Sequence, residues 1–446
     1  MSVLDKTYYY FIGIGGIGMS ALARYFKFLG KEVLGYDRTL TDLTIKLEKE
    51  GIDIHYEDDI KFIPKELTVE NTLVIYTPAV PLNHAEYQFF INNNFEIKKR
   101  SEVLGEVTDA TYGIAVAGTH GKTTTSSILG HILHDANLES TAFLGGVLEN
   151  YDSNFLFKGK KYTVSEADEF DRSFLKLSPK VAIITSMDAD HLDIYKDKND
   201  FEETFIEFSK KVTEQLFVKK GLPIENSLTY GIELGADYDA FNIRIIDGFY
   251  HFDVKTPNGI YEDFTLKHPG KHNVENATAA IAVADYLKIP AEKIKSALEN
   301  FLGVKRRFNR WDINDKVYID DYAHHPVELN ALTTSLKEMF PDKRILGVFQ
   351  PHLFSRTRDF WDEFAKSLSQ FDQLILLDIY PARELPIDGI TSENLLKEID
   401  LKEKEVCSLS EGLERIKTKS FDVLVTAGAG DVSTLVQPIK TWLNED

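Results

Sequence analysis

The sequence predicts an α/β protein in three successive domains, each built on a mainly parallel sheet. Three observations carry that expectation. Short apolar, β-rich runs alternate with helical stretches over most of the 446 residues, and repeated strand–helix units give parallel strands joined by right-handed crossovers. Glycine-rich turns follow two of the strands, at Gly13-Ile14-Gly15-Gly16-Ile17-Gly18 and Gly118-Thr119-His120-Gly121-Lys122-Thr123. The chain is also long enough for several cores, and it divides near residues 110 and 305 into segments 1–110, 111–305 and 306–446.

In the first segment the pattern predicts strands at 8–14, 33–36 and 73–76, with helices at 20–28 and 41–49. The first turn reads G-x-G-x-x-G. Glycines there permit a tight turn and bring a diphosphate close to the start of a helix. Asp37 closes the second strand, where a carboxylate accepts hydrogen bonds from a ribose or a base. Taken alone, this pattern describes a dinucleotide-like ligand and is shared with NAD-dependent dehydrogenases.

The second segment opens on an apolar strand at 112–117 and a helix at 123–134. Between them lies a phosphate-binding loop. Its amides and the helix N-terminus face an anion, Lys122 supplies charge and Thr123 offers a hydroxyl to Mg²⁺. Val116 stands where the full P-loop pattern has its first glycine. Strands follow at 162–166 and 181–185, then a helix at 200–212. Alternation between 241 and 266, around the turn Pro257-Asn258-Gly259, predicts an antiparallel excursion. Helices at 273–287 and 291–300 complete the segment.

Three polar groups stand out there. The acidic run Ser165 to Asp171 ends a strand where a carboxylate can hold a nucleotide-bound Mg²⁺, although such a run also suits a solvated loop. His191, in Asp188 to Asp193, either binds a second ion or caps a turn. Asn273 and Asn276, one turn apart in Gly270 to Ala277, either read a base edge or cap the helix, and spacing alone favours the cap.

The third segment repeats the alternation, with strands at 317–320, 344–349, 374–377 and 423–426. Lys305-Arg306-Arg307 at its start suits a clamp on a transferring phosphoryl group, or an ordinary basic turn. Asp320-Asp321-Tyr322-Ala323-His324-His325-Pro326 and Gln350 to Arg358 each follow a strand end, where α/β sheets place ligands. A tyrosine, a histidine and an arginine gathered there suit an amino acid, since an arginine can hold a carboxylate by two hydrogen bonds, although either segment alone suits a polar surface loop equally well.

Composition excludes several classes. With 71 acidic against 51 basic residues, the net charge is −20. That opposes nucleic acid and anionic membranes as partners. A lone cysteine, Cys407, excludes an internal disulfide and a thiolate metal cluster, and fits a reducing compartment. No apolar run reaches the length of a membrane span, and the apolar stretch at 8–17 lacks a basic leader. The expected location is cytoplasmic.

With these motifs laid out, the chain resembles the Mur ligase family. The matching stretches run in family order through all three segments: Gly13 to Ser20, Gly118 to Thr125, Glu166 to Asp171, Asp190 to Asp193, His272 to Ala277, Arg306-Arg307, Asp320 to Pro326 and Gln350 to Thr357. The resemblance implies Rossmann-like N- and C-terminal domains around a central P-loop-type ATPase. It implies a UDP-sugar site in 1–110, an ATP site in 111–305 and an amino-acid site in 306–446. The reaction it implies joins L-alanine to the carboxylate of UDP-N-acetylmuramate through an acyl phosphate, with ATP and Mg²⁺ at two sites (Mn²⁺ as an alternative ion), in a monomer or weak dimer.

By position, the resemblance places Gly15, Gly16, Gly18 and Asp37 on the UDP-sugar. Gly118, Thr119, His120, Gly121, Lys122, Thr123 and Thr124 cradle the phosphates, and Thr123, Glu166 and His191 ligate metal. His272, Asn273 and Asn276 line the adenine pocket, with Arg306 and Asp321 also on the nucleotide and Arg307 at the phosphoryl group. Tyr322, His324 and Arg356 receive L-alanine. Leu353 departs from the pattern, where family members often carry a second arginine. The alternatives are a ligase attaching a preformed peptide to the same sugar, and a P-loop ATPase without ligase activity.

Overall fold

The computed structural model describes residues 3–188, 195, 197–246, 249–382 and 384–445. The chain forms two units. The first comprises Met1–Ile245, His251–Lys267 and Asn273–Leu302, and the second Ile246–Tyr250, His268–His272 and Gly303–Asp446.

The first unit begins with strands β1 (Tyr8–Ile12), β2 (Glu32–Tyr36), β3 (Asp53–His55), β4 (Thr72–Tyr76) and β5 (Glu96–Lys99), interleaved with helices α1 (Ile17–Phe28), α2 (Asp42–Lys49), α3 (Ala85–Asn92) and α4 (Arg100–Asp109). The strands are all parallel, in the order β3-β2-β1-β4-β5. Strand order reverses at β1, so the crevice beyond its carboxyl end is where such a sheet binds ligands. Tyr9 to Ile12 are fully buried, as a central parallel strand covered on both faces requires.

A ten-stranded sheet follows. Its strands are β6 (Tyr112–Ala117), β7 (Ser140–Leu148), β8 (Ser153–Phe157), β9 (Tyr162–Ala167), β10 (Val181–Ile184), β11 (Gln215–Lys219), β12 (Leu228–Ile232), β13 (Tyr238–Ile246), β14 (Phe249–Thr256) and β15 (Gly259–Leu266). Their order is β15-β14-β13-β12-β11-β10-β6-β9-β7-β8. Strand β6 pairs in parallel with β9 and β10. Its helices are α5 (Lys122–Asp135), α6 (Lys198–Ser209), α7 (Lys271–Tyr286) and α8 (Ala291–Asn300).

The five-stranded part is fastened to this sheet through α1. Tyr25 meets Phe143 and Phe155 edge-on at 5.4 and 6.4 Å, and Phe28 lies 4.1 Å from Phe157. Arg24, itself buried, donates to Asn154 and to Glu50. Asn154 in turn donates to the Ile17 carbonyl at 2.6 Å, so a polar pin sits inside the apolar contact.

The second unit carries β16 (Asn309–Ile313), β17 (Lys316–Asp321), β18 (Ile345–Phe349), β19 (Gln373–Leu377), β20 (Lys404–Cys407) and β21 (Val423–Ala427), in the order β16-β17-β21-β18-β19-β20. Only β16 runs antiparallel among the pairings of this sheet. Helices α9 (Pro326–Met339), α10 (Phe354–Asp359), α11 (Trp361–Leu368), α12 (Ser392–Glu398), α13 (Gly412–Lys417) and α14 (Val436–Glu445) connect and cover the strands.

Two expectations change. The helix after the first glycine loop starts at Ile17 rather than 20, because Gly16 itself is its N-cap and Gly13 (φ +87°) has already turned the chain. Helix α7 starts at Lys271, so Asn273 and Asn276 lie inside it and are not caps. No helix among the described residues is long and apolar enough to cross a membrane.

Candidate active site

Strand β6 ends in Val116 and Ala117, both fully buried, and the chain then turns through Gly118 (φ +134°) and Gly121 (φ +83°) into α5. Only glycine suits these two positions. A Cβ on Gly118 would meet Thr185 Oγ1 at 2.1 Å, and one on Gly121 would meet Asn276 Oδ1 at 2.6 Å. The loop is held from beneath by the end of the neighbouring strand. Ser186 Oγ accepts from the His120 amide at 2.8 Å, and Thr119 Oγ1 donates to the Asp188 carbonyl at 2.7 Å. This is a preformed anion cradle at a helix N-terminus. Thr124 is buried one position beyond the two residues that act in it.

Those two residues are Lys122 and Thr123. Lys122 Nζ donates to the Gly118 carbonyl at 2.6 Å and to both oxygens of Glu169 at 2.7 and 2.9 Å. Thr123 Oγ1 lies 3.3 Å from Glu166 Oε2. The other oxygen of Glu166 accepts from the Gly145 amide at 2.7 Å and from Ser126 Oγ at 3.1 Å. A hydroxyl and a fixed carboxylate, both hard oxygen donors, converge at the mouth of the cradle. That donor set fits Mg²⁺, which takes one or two protein ligands and completes its shell with phosphates and water. Among the described residues there is no cluster of three or more His, Cys, Asp or Glu side chains able to hold a metal by itself. His191, expected at a second ion, lies outside the described residues.

Asn276 connects the adjoining helix to this loop. Its Oδ1 accepts from Thr125 Oγ1 at 3.2 Å, and its amide nitrogen lies 3.4 Å from Asn273 Oδ1. The pair therefore meets the phosphate loop from α7 and does not close the helix end.

A cavity of about 260 Å³ runs from the first glycine loop to this cluster. It is bounded by Gly16, Ile17, Gly18 and Arg100 at one end and by Gly145, Glu166 and Asp168 at the other. Asp37, expected on a ribose or base, takes the Gly15 amide on one oxygen at 2.7 Å and the Thr39 amide on the other at 3.0 Å. It shapes the loop directly. Arg100 presses on Gly18 so closely that a Cβ there would lie 2.8 Å from a guanidinium nitrogen. Sequence reasoning missed Arg100, since a lone arginine opening a helix carries no pattern. It missed Glu169 as well, although the acidic run containing it was noticed.

In the second unit, the basic pair is already engaged. Arg306, at φ +62°, pairs with buried Asp320 at 3.1 Å and donates to the Gly428 carbonyl at 2.7 Å. Arg307 lies over the Tyr322 ring at 5.2 Å and 3.8 Å from Glu328. Asp321 accepts from the Phe308 and Ala323 amides, both at 2.7 Å, and burial pushes its carboxyl up to about 6. His272 belongs to this unit, and burial together with Arg307 lowers its pKa to about 4.

The expected amino-acid residues do gather. Tyr322 and His324 meet edge-on at 5.2 Å. His324 Nδ1–H donates to the Tyr322 carbonyl at 2.9 Å, which leaves the lone pair on Nε2, and burial outweighs Glu328 to hold the ring neutral. His352, unforeseen, lies 6.0 Å from His324, stacks on Tyr380 at 5.7 Å and accepts from Arg356 at 3.3 Å. Leu353, between the histidine and the arginine, sits at φ +71°, a conformation costing a non-glycine residue on the order of 1–3 kcal/mol. Its amide donates to the Tyr380 carbonyl and its carbonyl accepts from Thr357, and these bonds hold the turn that presents Arg356.

Known proteins resemble this chain along nearly its whole length. Three consecutive family models match: the Mur ligase family catalytic domain over residues 8–112, the Mur ligase middle domain over 116–284 and the Mur ligase glutamate ligase domain over 306–430. The UDP-N-acetylmuramate–L-alanine ligase of Flavobacterium johnsoniae is 55% identical over 440 residues, covering 98% of each chain. The enzyme of that name from Porphyromonas gingivalis is 46% identical over 448 residues, covering 97% of this chain and 98% of the other. Among solved structures, the UDP-N-acetylmuramate-alanine ligase of Thermotoga maritima matches with a TM-score of 0.85 at 29% identity, covering 98% of this chain and 99% of that one. A murein peptide ligase from Psychrobacter arcticus shares the fold at a TM-score of 0.72 and 23% identity.

Proposed function

The chain belongs to the Mur ligase family, and from that premise we propose that it is the ATP-dependent ligase that joins L-alanine to UDP-N-acetylmuramate in peptidoglycan precursor synthesis. The observation that carries the reading is the continuous cavity between the sugar-nucleotide loop at Gly16 and Gly18 and the triphosphate cluster at Glu166. A dehydrogenase has no use for the second loop, and a simple ATPase has none for the first. Full-length identity of 55% to alanine-adding ligases favours alanine over a preformed peptide.

The chemistry needs little from the protein beyond placement and charge. The lactyl carboxylate of the sugar attacks the γ-phosphorus of ATP, ADP leaves and an acyl phosphate results. The alanine amine then attacks the acyl carbon, and a tetrahedral intermediate collapses with loss of inorganic phosphate. Lys122 neutralises the β- and γ-phosphates, and the loop amides hold them in line. Mg²⁺, held by Thr123 and Glu166, supplies further positive charge on the phosphate oxygens when bound, and His191 is our candidate ligand for a second ion. In the second unit, Arg356 holds the alanine carboxylate. Neutral His324 receives the ammonium proton at Nε2 and so frees the attacking lone pair. The three domains of the proposal are 1–110 for the UDP-sugar, 111–305 for ATP and 306–446 for the amino acid. We place the enzyme in the cytoplasm, as a monomer or weak dimer.

The deciding measurement is ADP release with UDP-N-acetylmuramate as acceptor, comparing L-alanine, glycine, L-serine and a tripeptide. Release that requires the sugar and is fastest with L-alanine is expected. Acceptor-independent hydrolysis, or a preference for the peptide, overturns the assignment. In the same assay Lys122→Ala abolishes turnover while leaving UDP-sugar binding intact.

A further inference from the structure

We propose that Glu169 is a positioning residue that occupies Lys122 while the nucleotide site is empty, and that it reclaims the lysine as ADP departs. The reading rests on the nucleotide site described above and extends it to one further residue. Glu169 follows β9 and is the residue preceding the short 3₁₀ turn Phe170–Lys176, a place from which an acidic side chain often caps the turn. It does not do so here. Its side chain, only 2% exposed, folds back to Lys122 and takes two hydrogen bonds at 2.7 and 2.9 Å. The backbone is fixed on both sides. Tyr195 Oη donates to the Glu169 carbonyl at 2.6 Å, and the Asp168 carboxylate accepts from the Phe170 amide at 3.1 Å.

An ammonium group has three donors, and here all are spent on Glu169 and the Gly118 carbonyl. A phosphate arriving in the loop has to draw the lysine away from a carboxylate that is itself buried. The carboxylate and the carbonyl hold the lysine in place at the mouth of the loop before any phosphate arrives. The pair thus stores the cation ready, and the same attraction opposes the phosphates that use it. Product release is helped by that opposition, because the carboxylate competes for the lysine as soon as ADP loosens.

The test measures equilibrium binding of inorganic tripolyphosphate and of ADP to the full chain, wild type against Glu169→Gln. Asp168→Asn serves as comparator, since it removes a nearby negative charge that is not bonded to the lysine. Removing the competitor is expected to tighten both ligands about tenfold in Glu169→Gln and several-fold less in Asp168→Asn, with a slower ADP off-rate in stopped flow. A structural defect would weaken binding instead. Unchanged or weaker binding in Glu169→Gln, or equal tightening in the two variants, overturns the proposal. Should the glutamine variant fail to fold, Glu169→Ala carries the same expected sign. Absence of any nucleotide or tripolyphosphate binding in the wild type would instead count against the nucleotide site itself.

Discussion

Arg100 illustrates how much a single side chain decides in this site. It lies against Gly18 at the wall of the cavity, beside a loop whose amides are already ordered by Asp37. A chain with a net charge of −20 has to recruit an anionic sugar nucleotide against its overall field. A guanidinium at the diphosphate loop reverses that field locally, and its planar fork matches phosphate oxygens. Arg100→Ala is therefore expected to weaken UDP-sugar binding roughly 10- to 100-fold, the scale of a charge-assisted pair at about 1.5–3 kcal/mol, while leaving tripolyphosphate affinity unchanged. Titration calorimetry with each ligand separates the two. Arg100 and Glu169 escaped sequence reasoning for one reason. Their partners lie 82 and 47 positions away, and nothing local announces a side chain that acts through so distant a neighbour.

At the scale of elements, the readable ones were those with a clear period from end to end, an unbroken apolar run in β6 and buried residues at helical spacing, Ile294, Ala297 and Leu298, in α8. The expected strand at 112–117 and helix at 291–300 coincide with β6 and α8. Strand β5 was missed because Glu96–Lys99 is an edge strand of half-buried, mostly charged residues, which reads as loop. The excursion near 241–266 was seen, but not what secures it. Asp285 of α7 accepts from Tyr238 Oη at 2.8 Å, Tyr261 Oη at 2.6 Å and Asn258 Nδ2 at 3.2 Å, binding two strands and the turn between β14 and β15 to the helix. Asp285→Ala leaves two tyrosine hydroxyls and an amide without their shared acceptor. It should cost about 2–4 kcal/mol by chemical denaturation, since each lost bond is worth about 1 kcal/mol and more where the donor stays buried. A loss below 1 kcal/mol would mean that water replaces the carboxylate.

For the whole molecule, stability should fall on mild acidification. Burial lowers both His268 and His272 to about 4. Between about pH 4 and 6.5 the unfolded chain therefore binds more protons at these sites than the folded one, and stability rises with pH. Asp321, raised to about 6, works in the opposite sense between its ordinary value and 6. Taken by themselves, these three groups, two histidines against one carboxylate, contribute about 1.4 kcal/mol per pH unit. His268→Gln removes one contribution and should make the melting temperature less dependent on pH across that range. An unchanged slope would show that His268 keeps its proton affinity on folding. The succession of three family domains was legible, because two glycine turns and the renewed alternation after 305 mark their strand ends. The fastening of the first sheet to the second was not. It depends on Arg24, Asn154 and a run of aromatic contacts that only the fold assembles. That fastening makes the span from Gly18 to Glu166 a ruler. An acid too short to bridge it never reaches the phosphorus, however tightly its uridine end is gripped, so a sugar nucleotide whose carboxylate is carried directly on the sugar ring should dock and remain inert.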